Sequence, residues 1–343
     1  MNKVVIHRPG GYSCLGLEHH PDPKPGPGEV LIEVRSIGVN YADCIVRMGL
    51  YASAKELSGY PITPGFEVAG EVAALGEGVE DLALGSPVVG VTLFGGYTSH
   101  LVLGREMVFR LPEQLPLEQA GGFPTMFLTA WTGLIYLANA RPGEQVLVHS
   151  AAGGVGSALI QLAQFKGCRV IGVVGSAHKV AAVEGLGADA VIDKSASELW
   201  REAERLAPGG YDIVLDANGV ETLMESYRHV APLGRLVVYG FASMLPRGGK
   251  RRNWLKLAWS YWRTPRFDPL RMTNSNRSVL AFNLSYMTSR AALLQEAMGR
   301  LLGWVAEGKL RMPAVTAYPL ADAARAQRAL ESGNTVGKLV LIP

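Results

Sequence analysis

The run His149-Ser150-Ala151-Ala152-Gly153-Gly154-Val155-Gly156 crowds its glycines into the end of one turn. It follows an apolar triplet, Val146-Leu147-Val148, and leads into a helix-like apolar pattern over 155–167. A strand that turns through A-x-G-x-x-G into a helix can seat a pyrophosphate on the helix N-terminus. Gly153 lets the backbone approach the phosphates, Gly156 lets the helix pack on the strand, and Gly153, Gly154 and Val155 are the expected contacts. A glycine pattern alone is weak evidence; its place between a strand and a helix makes it specific. The next strand ends at Val173-Val174-Gly175-Ser176-Ala177-His178-Lys179. A site for NAD carries an acidic residue there for the ribose 2′-hydroxyl, and none occurs before Glu184. Ser176, Lys179 and Lys194 offer a hydroxyl and two cations to a 2′-phosphate instead. The expected cofactor is therefore NADPH (NADP).

The elements around these residues follow from periodicity. From about 123 onward helical and strand patterns alternate. Helices are expected at 123–140, 155–167, 178–187, 196–207 and 220–231, with strands at 146–148, 170–174, 190–192, 213–215 and 236–239. Such alternation implies a parallel, doubly wound sheet in an α/β fold. Residues 1–110 instead show short alternating runs, such as Val30–Val34 and Val68–Val72, between turn signals such as PDPKPGPGE. They read as a mostly β domain, barrel-like or partly open. A helix at 291–307 and a closing strand at 338–342 are expected to return to it.

Composition narrows the class. The chain has 343 residues, long enough for two domains, with 48% hydrophobic and 18% charged residues. Its three cysteines, Cys14, Cys44 and Cys168, are odd in number and far apart, which excludes a disulfide framework and suits a reducing compartment. The start, MNKVVIHRPGG, lacks the apolar core of a secretory signal, so the expected location is cytoplasmic. Net charge is +3, but segment 247–271 alone holds eight of the 33 Lys/Arg and one of the 30 Asp/Glu. The remainder carries 25 basic against 29 acidic residues, so no chain-wide field for nucleic acid exists.

A β domain before a mid-chain dinucleotide fold resembles the medium-chain dehydrogenase/reductase superfamily. The resemblance implies a GroES-like domain over 1–122 and 289–343 and a Rossmann domain over 123–288. Zinc members of that superfamily carry a cysteine near the first domain's start and a histidine in a G-H-E motif. Here those positions read Gly38-Val39-Asn40-Tyr41-Ala42-Asp43 and Pro64-Gly65-Phe66-Glu67. Asn40 and Phe66 remove the N or S donors that zinc requires, so no zinc and no other metal is expected. This zinc-free pattern is similar to the quinone oxidoreductase family, which also matches at Met48–Tyr51, Leu128–Trp131, Leu215–Gly219 and Gly337-Lys338. A narrower likeness, in Tyr239–Ala242, KRRNWLKLAWSYW and Phe282-Asn283-Leu284, points to the vesicle amine transport (synaptic vesicle membrane protein homologue) branch.

The resemblance implies which further residues meet the cofactor, in a cleft between the domains. Asn40 and Thr129 would border the nicotinamide and its ribose. Asn218, Gly240, Phe241, Phe282 and Asn283 would line the other side, and Lys338 would approach from the first domain. Without a metal, the substrate must already be electrophilic: a quinone or an α,β-unsaturated carbonyl. Hydride addition builds negative charge on oxygen, which hydrogen-bond donors stabilise. Asn40 and Tyr51 are the catalytic candidates, the proton coming from Tyr51 or water. Asp43 would orient Asn40 or cap a helix. The expected activity is thus an NADPH-dependent quinone or enone reductase (EC 1.6.5 or 1.3.1 type).

Residues 253–262, NWLKLAWSYW, hold three of the six tryptophans. Trp254, Leu255, Ala258, Trp259 and Trp262 share one side at helical spacing. Three readings stand: a helix packed on its own domain or a partner copy, an aromatic lid, or a basic amphipathic helix on an anionic membrane. The last supports an alternative, a cofactor-binding protein acting through peripheral membrane or partner contact by 247–271. The run Ser278–Leu284 is similar to the edge strand through which the superfamily pairs, so a homodimer is expected.

Overall fold

The computed structural model describes residues 1–244 and 254–343. The chain divides into two compact units, Met1–Leu128 with Leu284–Pro343, and Thr129–Asn283.

The first unit is built on a seven-stranded sheet. Its central strand, Glu29–Val39, pairs antiparallel with Glu67–Leu75, His100–Gly104 and Lys338–Ile342. Val315–Pro319 joins parallel to the last of these, and Pro87–Val91 and Val108–Arg110 extend the other side. β-Branched and aliphatic residues of these strands, including Val30, Ile32, Val34, Val68, Val72, Leu339 and Leu341, form one buried cluster. This is the GroES-like domain, and the C-terminal strand returns to it. The register brings Val39, beside Asn40, opposite Leu339, beside Lys338. Two residues 298 positions apart in sequence thereby become neighbours.

The second unit holds six parallel strands: β1 (Gln145–Val148), β2 (Arg169–Val174), β3 (Ala190–Asp193), β4 (Tyr211–Asp216), β5 (Val230–Val238) and β6 (Ser278–Ala281). Their order, β3-β2-β1-β4-β5-β6, is that of a doubly wound Rossmann sheet. The central strands are buried on both faces, as their near-continuous apolar runs require. Two expectations shift. The helix expected at 220–231 spans only Leu223–Arg228, and β5 starts at Val230. It passes Pro232-Leu233-Gly234 with Leu233 at φ +66°, an irregularity that the turn-like sequence had hidden. The helical run at 123–140 splits into an α-helix, Phe123–Ala130, and a π-helix, Trp131–Leu137. No helix among the described residues is long and apolar enough to cross a membrane.

Candidate active site

In the second unit the glycine turn joins β1 to a 12-residue helix, Gly154–Phe165, with Gly153 as N-cap. No side chain caps that terminus, so its backbone N–H groups face outward where an anion is favoured. A Cβ on Gly156 would lie 2.4 Å from Ser150 O and 2.7 Å from Ala151 Cα, so only glycine lets the helix close on the turn. A Cβ on Gly153 would meet only Ser150 O, at 3.4 Å. Packing therefore does not demand that glycine; the space over it is open.

The loops at the carboxyl ends of the strands are tied to this turn. Ser150, at φ +54°, donates its hydroxyl to Asn218 Oδ1 at 3.0 Å. Asp216, fully buried at the end of β4, accepts from the backbone N–H groups of Asn218 and Gly219 and from the hydroxyls of Thr222 and Ser226. His149 Nε2 lies 3.0 Å from the Ser226 hydroxyl, and burial holds this imidazole below its ordinary pKa. Ala242 N–H donates to Ala217 O and Ser243 N–H to Asn218 O, which brings Gly240 and Phe241 beside Asn218. Phe282 stacks on Tyr239, with ring centroids 6.4 Å apart. The structure thus gathers Gly153, Gly154, Val155, Asn218, Gly240 and Phe241 at one edge of the sheet. Asn283 is exposed beyond β6, and Thr129 is half-buried at the start of the unit.

Ser176, Lys179 and Lys194 lie together at the ends of β2 and β3. Lys179 is nearly buried, and burial followed by the neighbouring Lys194 charge lowers its pKa. The Lys194 Cε lies 3.6 Å from where a Gly175 Cβ would stand. The nearby Asp193 carboxylate is turned back on Ser195, accepting from its N–H and hydroxyl. A hydroxyl and two cations gathered beside a glycine fit a phosphorylated ribose.

In the first unit, Asn40, Glu67 and Lys338 form one cluster. Lys338 Nζ is 2.6 Å from Asn40 Oδ1 and 2.8 Å from Glu67 Oε1, and Asn40 Nδ2 donates to Glu67 Oε1 at 2.8 Å. Thr125 N–H supplies a further bond to Glu67 Oε2 at 2.6 Å. The side chains of Glu67 and Lys338 are 0% and 4% exposed. Asp43 caps the helix Tyr41–Arg47: it accepts from Asn40 N–H, Gly65 N–H and the Tyr97 hydroxyl. Burial pushes its carboxyl up to about 7. Phe66 packs between Tyr51 and Phe94, at centroid distances of 5.9 and 5.4 Å. The Tyr51 hydroxyl lies 2.7 Å from Ser285 Oγ. Sequence reasoning quoted Glu67 only as part of a motif and missed Ser285. The first carried its signal in P-G-F-E; the second, in the 3-10 helix Leu284–Arg290 of ordinary composition, carried none.

These residues do not fit a zinc ion. An ammonium already bridges Asn40 and Glu67, a second cation there would meet it head-on, and Phe66, at the histidine position of the zinc motif, offers only an aromatic ring.

Comparison with known proteins agrees with this architecture. Residues 26–137 match the alcohol dehydrogenase GroES-like domain, and residues 186–341 match a model described as zinc-binding dehydrogenase. The chain belongs to the medium-chain dehydrogenase/reductase superfamily of oxidoreductases, in the branch of the synaptic vesicle membrane protein VAT-1 homologues. It is 33% identical to the Homo sapiens VAT-1 homologue, over 99% of this chain and 86% of that protein. The Escherichia coli quinone oxidoreductase complexed with NADPH superposes over 100% of both chains, with a TM-score of 0.86 and 28% identity. CurK enoyl reductase superposes over 99% of this chain and 98% of its own, with a TM-score of 0.84 and 28% identity.

Proposed function

We propose that this protein is an NADPH-dependent, zinc-independent reductase of quinones or α,β-unsaturated carbonyls. The observation that carries this reading is the Asn40–Glu67–Lys338 cluster, an internal cation where metal-dependent relatives need ligands. The NADPH-bound and enoyl reductase neighbours support it. Gly153, Gly154 and Val155 bind the pyrophosphate at the helix N-terminus. Ser176, Lys179 and Lys194 hold the 2′-phosphate, and Thr129, Asn218, Gly240, Phe241, Phe282 and Asn283 flank the nicotinamide end. When bound, NADPH supplies the hydride. Asn40 donates a hydrogen bond to the substrate oxygen on which charge builds, and Tyr51 holds the proton at its hydroxyl. Rigid positioning, more than acid–base strength, is what the chain contributes. An NADPH-oxidation assay over a panel of quinones and enones, on chelator-treated protein, is expected to show turnover. Activity with none of them would sink the reading.

A second reading has its own observation. The helix Trp254–Arg263 leaves Leu255, Trp259, Tyr261 and Trp262 exposed at 83, 56, 76 and 72%. Arg263, Arg266 and Arg271 follow, while the basic run 247–253 lies outside the described residues. Aromatic rings with flanking cations suit peripheral contact with an anionic bilayer. Trp259→Ala/Trp262→Ala is expected to abolish co-sedimentation with anionic vesicles; wild-type protein that binds none removes this reading.

A further inference from the structure

The Asn40 side chain has its orientation fixed by chemistry. Lysine cannot accept a hydrogen bond and a carboxylate cannot donate one. Lys338 must therefore face Oδ1, and Glu67 must face Nδ2. A flipped amide would set an N–H against an ammonium and an oxygen against a carboxylate. Lys338 takes one lone pair of Oδ1, and Asn40 keeps one Nδ2–H beyond the bond to Glu67.

The cluster is built, not incidental. A Cβ on Gly38 would lie 1.9 Å from Glu67 Oε1, and a Cβ on Gly122 would lie 2.6 Å from Lys338 Cγ. Two glycines clear the space that the acid and the lysine stem occupy. The ion pair is buried, where charges interact strongly and are screened little.

We infer that Lys338 is a positioning residue for Asn40: its ammonium, anchored by Glu67, polarises the amide and aims its remaining N–H at the substrate oxygen. A cation on the amide oxygen draws electron density from nitrogen and strengthens the N–H as a donor. That strengthening counts most when the substrate oxygen gains charge, so it raises the rate more than ground-state binding. The Lys338 ammonium is thereby assigned to Asn40 and not to a cofactor phosphate. The inference rests on the reductase reading above.

The test uses Lys338→Met, Lys338→Arg and the double variant Glu67→Gln/Lys338→Met, which removes both charges and leaves no uncompensated buried carboxylate. Rates with a quinone at saturating NADPH, NADPH affinity by tryptophan quenching, and melting temperature are measured for each. Lys338→Met is expected to lower kcat at least about tenfold, with NADPH affinity and acceptor KM within about threefold of wild type. Lys338→Arg is expected to recover part of the rate. The double variant is expected to regain the melting temperature but stay slow. A double variant that turns over like wild type would make the pair merely structural. An NADPH affinity weakened more than about tenfold in Lys338→Met, with kcat unchanged, would make the lysine a cofactor ligand. Should wild type reduce no acceptor, the reductase reading fails and the positioning claim is still decided by side-chain amide NMR. The Asn40 signal, assigned by its loss in Asn40→Asp, is expected to move in Lys338→Met; an unmoved signal refutes it.

Discussion

At the scale of single residues, the two glycines of the turn separate folding from binding. Gly156→Ala forces a Cβ to within 2.4 Å of a backbone oxygen and is expected to destabilise the protein by about 1–3 kcal/mol. Gly153→Ala meets only an ordinary 3.4 Å contact, so it is expected to melt like wild type yet bind NADPH at least about tenfold more weakly. Calorimetric melting and an NADPH titration check both. Asp43 makes a pH prediction. Its carboxyl is raised to about 7 in the fold, against the usual carboxylate value when unfolded. The native state therefore holds the proton longer, and the associated stability is complete below about pH 4 and lost as pH rises through about 7. Asp43→Asn is expected to flatten that slope in melting temperature against pH, on a baseline lowered by about 1–3 kcal/mol for its altered hydrogen bonds. A variant with the wild-type slope would contradict the assignment. The glycine turn was legible because its spacing is local. The role of Lys338 was only half legible: the lysine could be named, but its partners stand 298 and 271 positions away, joined by sheet register.

At the scale of elements, the helices Tyr41–Arg47 and Ala323–Glu331 are pinned by a buried ion pair between Arg47 and Glu331. Gln327 accepts from Arg47 Nε at 2.7 Å, and Tyr12 donates its hydroxyl to Glu331. This cluster holds the helix that starts at Asn40. Arg47→Met leaves Glu331 buried without its partner and is expected to destabilise by about 3–5 kcal/mol, whereas Arg47→Met/Glu331→Leu is expected to recover most of it. Urea denaturation of the two variants decides; equal losses in both would show that the pair is not the pin. The strands of the second unit were readable from short apolar runs bounded by turns. β5 was readable only in its second half, because Pro232 and Gly234 look like a loop; between Val230 and Arg235, the residues that pair with β4, the chain bulges through Leu233 at φ +66°. The π-helix at Trp131–Leu137 was equally hidden, since its apolar pattern differs little from that of an α-helix.

At the scale of the whole molecule, β6 ends the six-stranded sheet, with its outer edge unpaired among the described residues. We propose that a second copy covers it, and sedimentation velocity is expected to show twice the chain mass; a monomer at micromolar concentration would contradict this. The class of the molecule was legible across most of its length, because its motifs are spread from Asn40 to Lys338. The substrate was not, because specificity depends on loops whose conformation no local pattern dictates. The account's central claim is that NADPH is the sole redox agent and passes hydride to an electron-poor acceptor without a metal. The most direct measurement is transfer from NADPH carrying deuterium on both faces of nicotinamide C4, on exhaustively chelated protein, to an enone followed by mass spectrometry. The account predicts one deuterium on the β-carbon of the product, at the same rate before and after chelation. Product without deuterium, or activity that vanishes with the chelator and returns with zinc, would contradict it.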